Sequence, residues 1–522
     1  MSASTALSRA TGFVRTWATA YALGVTALAA SYSVANNIPN LIYELMAGGV
    51  MASAFIPVFL ERLKQGGEED AWRYASSIFN LTVIVLGTVS VLGIVFAEQV
   101  VRTQTFRVSP EEARLATSFF RFFSLQVVAY GSGTVISGLL NAHRRFLWPA
   151  LSPIFNNIVV IVTLLVFYVP TYPKDPHLAF VFLATGTTLG VFTMVLVQVP
   201  SLLRTGVHYS PRIDLFHPGM RSVGRMALPM VLYVASVVAA VSFRNAFALE
   251  SSPEGPATLV YAWMFYQLPY GIFAVALATA IFTELSESAG KKDWVSFKDR
   301  FAQGWRFTIL LIVPMASMLI ALSHPLISLY RAGMFTAEDV PAVAEILAIW
   351  AGGLLFFASY QYLLRTFYSL QDTRTPMIVN VVLTILLVFL YRLLTVGIGS
   401  WQGIGLKGIP VADGVFFLAN FSVLAIILGR RIGNHDLPGL AWMLARIVLA
   451  SVLGGVVAWM LARALPFSTT PWAALVQVLV GGSVGLGVTY SLAWVMRIRE
   501  MKPAVAFARQ TLTRLTSRRG VR

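Results

Sequence analysis

Residues 78–96 read IFNLTVIVLGTVSVLGIVF, nineteen residues without a charge. With its neighbours, this run is long enough to cross the roughly 30 Å hydrocarbon core of a bilayer as one helix, at about 1.5 Å of rise per residue. Working outward, the same reading gives fourteen such segments, bounded by charges or by Pro and Gly: 6–28, 32–61, 73–98, 111–142, 150–169, 177–203, 222–249, 256–287, 303–329, 340–370, 376–396, 406–429, 438–463 and 472–496. The runs are long and continuous, whereas a membrane β-barrel would show short alternating segments. Composition agrees: of 522 residues 57% are hydrophobic and 12% charged, with mean hydropathy +0.72. A soluble domain carries about 25% charged residues and could not cover so much apolar surface. The sequence therefore predicts an all-α, polytopic membrane protein.

The charges set the expected orientation. With the N-terminus in the cytoplasm, the inner loops and tail hold 26 of the 39 Lys and Arg, and the outer loops hold eight. Basic residues concentrate on the cytoplasmic side of membrane proteins, so a multi-pass protein of the cytoplasmic membrane is expected, with both termini inside. The net charge of +16 would suggest nucleic acid in a soluble protein; here its placement points to membrane lipid, and no nucleic-acid partner is expected. The tail from Arg497 to Arg522, with eight basic residues and one acid, reads as a segment lying on anionic lipid. The start has no charged region before a short apolar core, so no cleavable signal peptide is expected.

The chain also repeats at an offset of about 227 residues. Ser109-Pro110-Glu111-Glu112 corresponds to Thr336-Ala337-Glu338-Asp339, both patterned as capping boxes. Pro149 corresponds to Pro376, Ala54-Phe55-Ile56-Pro57 to Ala280-Ile281-Phe282-Thr283, and Pro39 to Pro269. Two six-helix units of parallel orientation follow, with two helices appended. The expected divisions are a lobe over 1–204, a linker over 205–221, a second lobe over 222–433, the extra pair over 434–497 and a basic tail over 498–522. Parallel repeats are one architecture of alternating-access transporters, with the substrate site between the halves.

Ionisable residues inside spans are costly and mark functional sites. Arg9 lies near the cytoplasmic end of the first span and is within reach of headgroups. Arg15 is six residues deeper, about 9 Å along a helix, where a water-filled cavity suits it better. In the second span Asn36, Asn40, Tyr43, Ala47 and Met51 share one stripe, widened by Asn37 and Glu44, and Pro39 kinks the helix there. Arg9, Arg15, Asn36, Asn40, Tyr43 and Glu44 are the candidate substrate-binding residues, with Glu44 facing Arg15. Arg121, among four Phe residues, reads as an aromatic-belt anchor, and Arg244 as the ion-pair partner of Glu250. No catalytic residue, metal ligand or cofactor is expected. The chain has no Cys, its six His are scattered near loops, and there is no phosphate-binding Walker sequence.

Ser8-Arg9-Ala10-Thr11-Gly12-Phe13-Val14-Arg15 resembles the opening of the MurJ (MviN) lipid II flippases. The resemblance continues through Ile38-Pro39-Asn40-Leu41, Ala54-Phe55-Ile56-Pro57-Val58-Phe59 and the segment Phe367 to Pro376, and Ile42 to Gly49 is similar to the actinobacterial branch. It implies the multidrug/oligosaccharidyl-lipid/polysaccharide exporter superfamily. It also implies a flippase that moves an undecaprenyl-diphosphate-linked peptidoglycan precursor outward through a cationic cavity, with the lipid tail against the last two spans. Arg9 and Arg15 match the family's first-helix arginines. Ala30, Tyr43-Glu44 and Trp263-Met264 stand where many members carry charges, so a less cationic cavity is implied, and Asn380 is followed by Thr384 where some members have an Asp that helps bind sodium. Other readings of the residues are a flippase for another polyprenyl-linked glycan, a multidrug exporter, and a non-transporting scaffold for cell-wall synthesis proteins.

Overall fold

The computed structural model describes the main chain of residues 2–44, 55–214, 218–271, 275–433, 437–465, 470–498 and 500–501, with side chains except at 2–6, 44, 57, 111–112, 218–234, 275–280 and 437–438. Among these residues the regular structure is helical, apart from two isolated β-bridges. The chain divides into two compact units, Met1–Val260 with Ala332–Thr336, and Tyr261–Arg331 with Ala337–Arg522.

In the first unit the helices are α1 (Ser2–Leu23), α2 (Ala27–Glu44), α3 (Ile56–Gln65), α4 (Gly67–Val95), α5 (Ala97–Thr105), α6 (Pro110–Phe123), α7 (Gln126–Ala142), α8 (Leu147–Val162), α9 (Val169–Thr171), α10 (Pro176–Leu196), α11 (Val199–Leu203) and α12 (Pro218–Ser251). Then follow α13 (Gly255–Pro269), α14 (Val275–Gly290), α15 (Trp294–Ala321), α16 (Ser323–Ser328), α17 (Asp339–Gly352), α18 (Leu354–Ser369), α19 (Arg374–Tyr391), α20 (Gly408–Ile432), α21 (Leu437–Ala464) and α22 (Pro471–Val495). Helix occupies all or part of each of the fourteen expected segments. Nine helices among the described residues are long and apolar enough to span a membrane, or ten if α17 and α18, bent by 51°, form one span. α13 and α14, at 15 and 16 residues, are too short singly. α1 and α2 are too polar, because Arg9, Arg15 and the Asn residues lie on them.

The packing separates central from peripheral helices. In the apolar window of α4 only 17% is buried, against 78% over Ala113–Ala142. Val85, Val91, Leu92 and Val95 lie exposed on α4, a surface that lipid, not water, can cover. The core of the first unit is aromatic: Phe55 stacks between Phe59 and Tyr74, and Trp72 stacks on His143. The irregular stretch before α12 is strapped onto α4. Asn80 donates to the Ser210 and Arg212 carbonyls, and Ser76 and Ser77 accept from the Ser210 and Asp214 amides. The division into compact units lies after α12, while the repeat boundary read from the sequence lies before it. In the second unit α21 and α22 close on each other through glycines: a Cβ on Gly454 would lie 2.4 Å from the Gly485 carbonyl, so only Gly permits this approach.

The repeat is visible in the backbone. α7 ends at Ala142 and α18 at Ser369; α8 starts at Leu147 and α19 at Arg374. Each pair is separated by 227 residues. The turns between them match: Arg144 has φ 58° and Gln371 φ 59°, and the Arg145 amide donates to the Leu140 carbonyl as that of Asp372 does to Phe367. Both copies then widen to π-helix, at Thr163–Tyr168 and Arg392–Val396.

Candidate functional site

The six expected site residues all lie on α1 and α2 in the first unit. α1 is held on α8 by Asn157, whose amide donates to Thr11 Oγ1 at 3.0 Å. α2 is fixed by Tyr32, whose ring lies edge-on to Phe119 and Phe123 and whose hydroxyl bonds Thr187 Oγ1 at 3.1 Å. Between these anchors, Tyr130 of α7 donates to Asn40 Oδ1 at 3.0 Å, and its ring lies 4.8 Å from that of Tyr43. Asn40, Tyr43 and Tyr130 therefore form one polar cluster, and Arg15 lies on α1.

Asn36 lies one turn before Asn40, and its Oδ1 is buried without a hydrogen-bond partner among the described residues. A buried, unmet acceptor costs free energy until a donor reaches it. Arg9 and Arg15 are both half-buried, and no acid among the described side chains pairs with either. Glu44 closes α2, but its side chain, like Ala47, Gly48, Gly49, Met51 and the tail beyond residue 501, lies outside the described residues. α2 and α7 thus offer a phenol and an unmet amide oxygen, and α1 carries two guanidinium groups, residue types suited to an anionic, polar headgroup.

One expectation is corrected. Glu250 does not take Arg244 as its partner. Arg107 holds it through two bonds, Nε to Oε2 at 2.7 Å and a terminal nitrogen to Oε1 at 2.5 Å, and Arg244 Nε is buried without a hydrogen-bond partner among the described residues. The reason is helical spacing: six residues apart on α12, the two side chains leave on different faces, whereas neighbours lie three or four apart. Elsewhere on α12, Asn245 donates to Gln104 at 2.6 Å. Arg121 is exposed beside the buried Phe119, Phe120 and Phe123.

Three residues were not foreseen. Tyr130 follows the same stripe logic as the second span, because Gln126, Tyr130 and Thr134 recur at every fourth position and all are buried. Asn157 gave no signal beyond being polar within a span. In the second unit Asp413, 5% exposed on α20, accepts from Trp350 Nε1 at 2.9 Å and from the Tyr391 hydroxyl at 2.5 Å. Its signal in the sequence is an acid within the apolar run 406–429. Among the described residues no group of three or more His, Cys, Asp or Glu is placed to hold a metal.

The chain as a whole is similar to known proteins. The family described as "Lipid II flippase MurJ" matches residues 19–476. A "Probable lipid II flippase MurJ" of Rhizobium meliloti (strain 1021) is 27% identical over 488 residues, covering 88% of this chain and 87% of the relative. One of Synechocystis sp. (strain ATCC 27184 / PCC 6803 / Kazusa) is 26% identical over 468 residues, covering 87% and 85%. Among solved structures, "Lipid II flippase MurJ, inward closed conformation" superposes with TM-score 0.76 at 22% identity, over 95% of this chain and 99% of that one. An inward-facing multidrug resistance MATE family transporter of the MOP superfamily superposes with TM-score 0.67 at 16% identity, over 83% and 94%.

Proposed function

The chain belongs to the lipid II flippase MurJ family, and from that premise we propose that it carries lipid II, the undecaprenyl-diphosphate-linked peptidoglycan precursor, from the inner to the outer leaflet. It is a transporter rather than an enzyme: the lipid changes side without a covalent step. The observation that carries this reading is the polar cluster of α2 and α7, together with two arginines on α1 that have no acidic partner among the described side chains.

Arg15 and Arg9 bind the diphosphate, because a planar guanidinium donates paired hydrogen bonds to phosphate oxygens. Asn36 Oδ1 takes a hydroxyl or amide donor of the sugar-peptide headgroup, which meets an acceptor otherwise left unpaired. Tyr43 and Tyr130 supply a flat wall and a hydroxyl beside it. Glu44 holds Arg15 until the diphosphate competes for it. The two copies of the repeat are the bodies that move in alternating access, a cycle supported by the inward-facing and outward-facing conformations of MATE transporters with this fold. With both termini in the cytoplasm, a potential negative inside resets a cationic site inward by about 2.3 kcal/mol per charge per 100 mV.

The test is translocation of fluorescent lipid II in vesicles holding the purified protein. Lipid II is expected to become accessible at the opposite leaflet, faster with an imposed potential. Transport of cationic dyes with no lipid II movement would favour the multidrug reading instead, and movement of neither would favour a scaffold.

A further inference from the structure

The repeat puts one loop of each unit in equivalent surroundings, and their charges differ. In the second unit Asp372 accepts from the Thr375 amide at 2.9 Å and hydroxyl at 2.6 Å, and Arg431 at the end of α20 donates to both Asp372 (2.6 Å) and Thr375 (2.9 Å). The acid there closes the network. Subtracting 227 puts Arg145 in place of Asp372, Trp148 in place of Thr375, and Arg204 in place of Arg431. The first unit keeps the contact between the two positions but not the acid. Arg145 turns to main-chain oxygens, donating to the Arg204 carbonyl at 2.8 Å and the Ser201 carbonyl at 3.3 Å. Those carbonyls satisfy donors without neutralising charge. Arg144, in the left-handed turn, is exposed beside it. No described acid forms an ion pair with Arg144, Arg145 or Arg204.

Arg144 and Arg145 line a groove of about 470 Å³ together with Phe146, Leu147, Trp148 and Ser201. Its rim is apolar: Phe146 is 38% and Leu147 58% exposed, an arrangement unfavourable in water and favourable against acyl chains. Trp148 packs by its body on the Tyr130 core and fits the interfacial zone that Trp prefers.

We propose that this groove binds the phosphodiester headgroup of an anionic phospholipid, which supplies the negative charge that Asp372 supplies in the second unit. The charge pattern selects the phosphate, and the apolar rim selects a lipid over a free ion. The groove's basic residues, Arg144 and Arg145, are not members of the polar cluster, and the proposal does not depend on what that cluster transports.

The full-length protein in detergent is titrated with phosphatidylglycerol and with phosphatidylcholine of the same acyl chains, and bound lipid is counted by native mass spectrometry. Phosphatidylglycerol is expected to bind more tightly. Arg144→Gln with Arg145→Gln should weaken it roughly thirtyfold, from about 1 kcal/mol per basic residue near an anionic surface at 1.36 kcal/mol per factor of ten, and leave phosphatidylcholine unchanged. Arg145→Asp copies the second unit and pairs internally with Arg204. It should stay folded, with an unchanged melting midpoint, and lose the same preference. Lys291→Gln with Lys292→Gln, on a different loop, should bind as the parent does. Equal binding of the two lipids, parental phosphatidylglycerol binding by both Arg145 variants, or displacement of the lipid by millimolar inorganic phosphate would overturn the proposal.

Discussion

Asp413 is the most exacting test of the packing in the second unit. Its carboxylate is buried on α20 between two donors, Trp350 Nε1 at 2.9 Å and the Tyr391 hydroxyl at 2.5 Å. Leaving a buried donor without its acceptor costs about 1–3 kcal/mol. Asp413→Ala removes both bonds and strands two buried donors, for a loss of about 2–6 kcal/mol. That is a large share of the 5–15 kcal/mol typical of a folded domain. Asp413→Asn keeps one acceptor oxygen and sets an NH₂ against the other donor, so it should cost about half as much. Trp350→Phe and Tyr391→Phe each delete one donor and fall near the Asn variant. The assay is the fraction of protein that stays monodisperse on size exclusion after heating, which does not depend on Trp350 as a probe. The expected order of damage is Ala, then Asn together with the two Phe variants, then the parent. An unchanged midpoint for Asp413→Ala, or an Asn variant worse than Ala, would refute the reasoning.

Tyr130→Phe keeps the ring against Tyr43 and removes the donor to Asn40. It should fold at a cost of about 1 kcal/mol yet transport several times more slowly per folded molecule, and parental transport would remove Tyr130 from the site. Burial pushes the Asp372 carboxyl up, but the Thr375 hydroxyl and amide and Arg431 outweigh it and hold it below the usual carboxylate range. A depressed carboxyl contributes stability above its unfolded value and loses it as pH falls through the lower folded value. Asp372→Asn should therefore destabilise at pH 7, the gap closing below an unfolded value of about 3.9, and a gap independent of pH would contradict this. Single cysteines are readily introduced because the chain has none. An impermeant thiol reagent applied outside cells should label positions beside Lys174 and Glu254 and spare those beside Lys64 and Lys292, and the reverse pattern would overturn the orientation read from the charges.

The sequence made the helices legible because a bilayer leaves an apolar run few alternatives. It also made the repeat legible, since Pro149 and Pro376 each fall near the start of a helix that opens after the same left-handed turn. Polar positions on α2 were legible through their spacing, and Tyr130 would have been by the same rule. Pairing was not. Glu250 looks toward Arg107, 143 residues away, and nothing local in the sequence reports which of several arginines a helix face will meet. Asn157 is likewise a single polar residue in an apolar run, and only tertiary packing shows that it pins the arginine-bearing helix. The contrast between Arg145 and Asp372 is written in the sequence, but its meaning depends on seeing Arg204 and Arg431 beside them.

The central claim is that Arg15 binds the substrate's diphosphate. The most direct measurement is lipid II translocation per folded molecule in vesicles carrying the parent, Arg15→Ala or Arg15→Lys, with the folded amount taken from size exclusion of the same preparation. The account predicts normal folding and lost transport for Arg15→Ala. It predicts largely lost transport for Arg15→Lys as well, because an ammonium keeps the charge but not the paired donors. Parental transport by folded Arg15→Ala would contradict it.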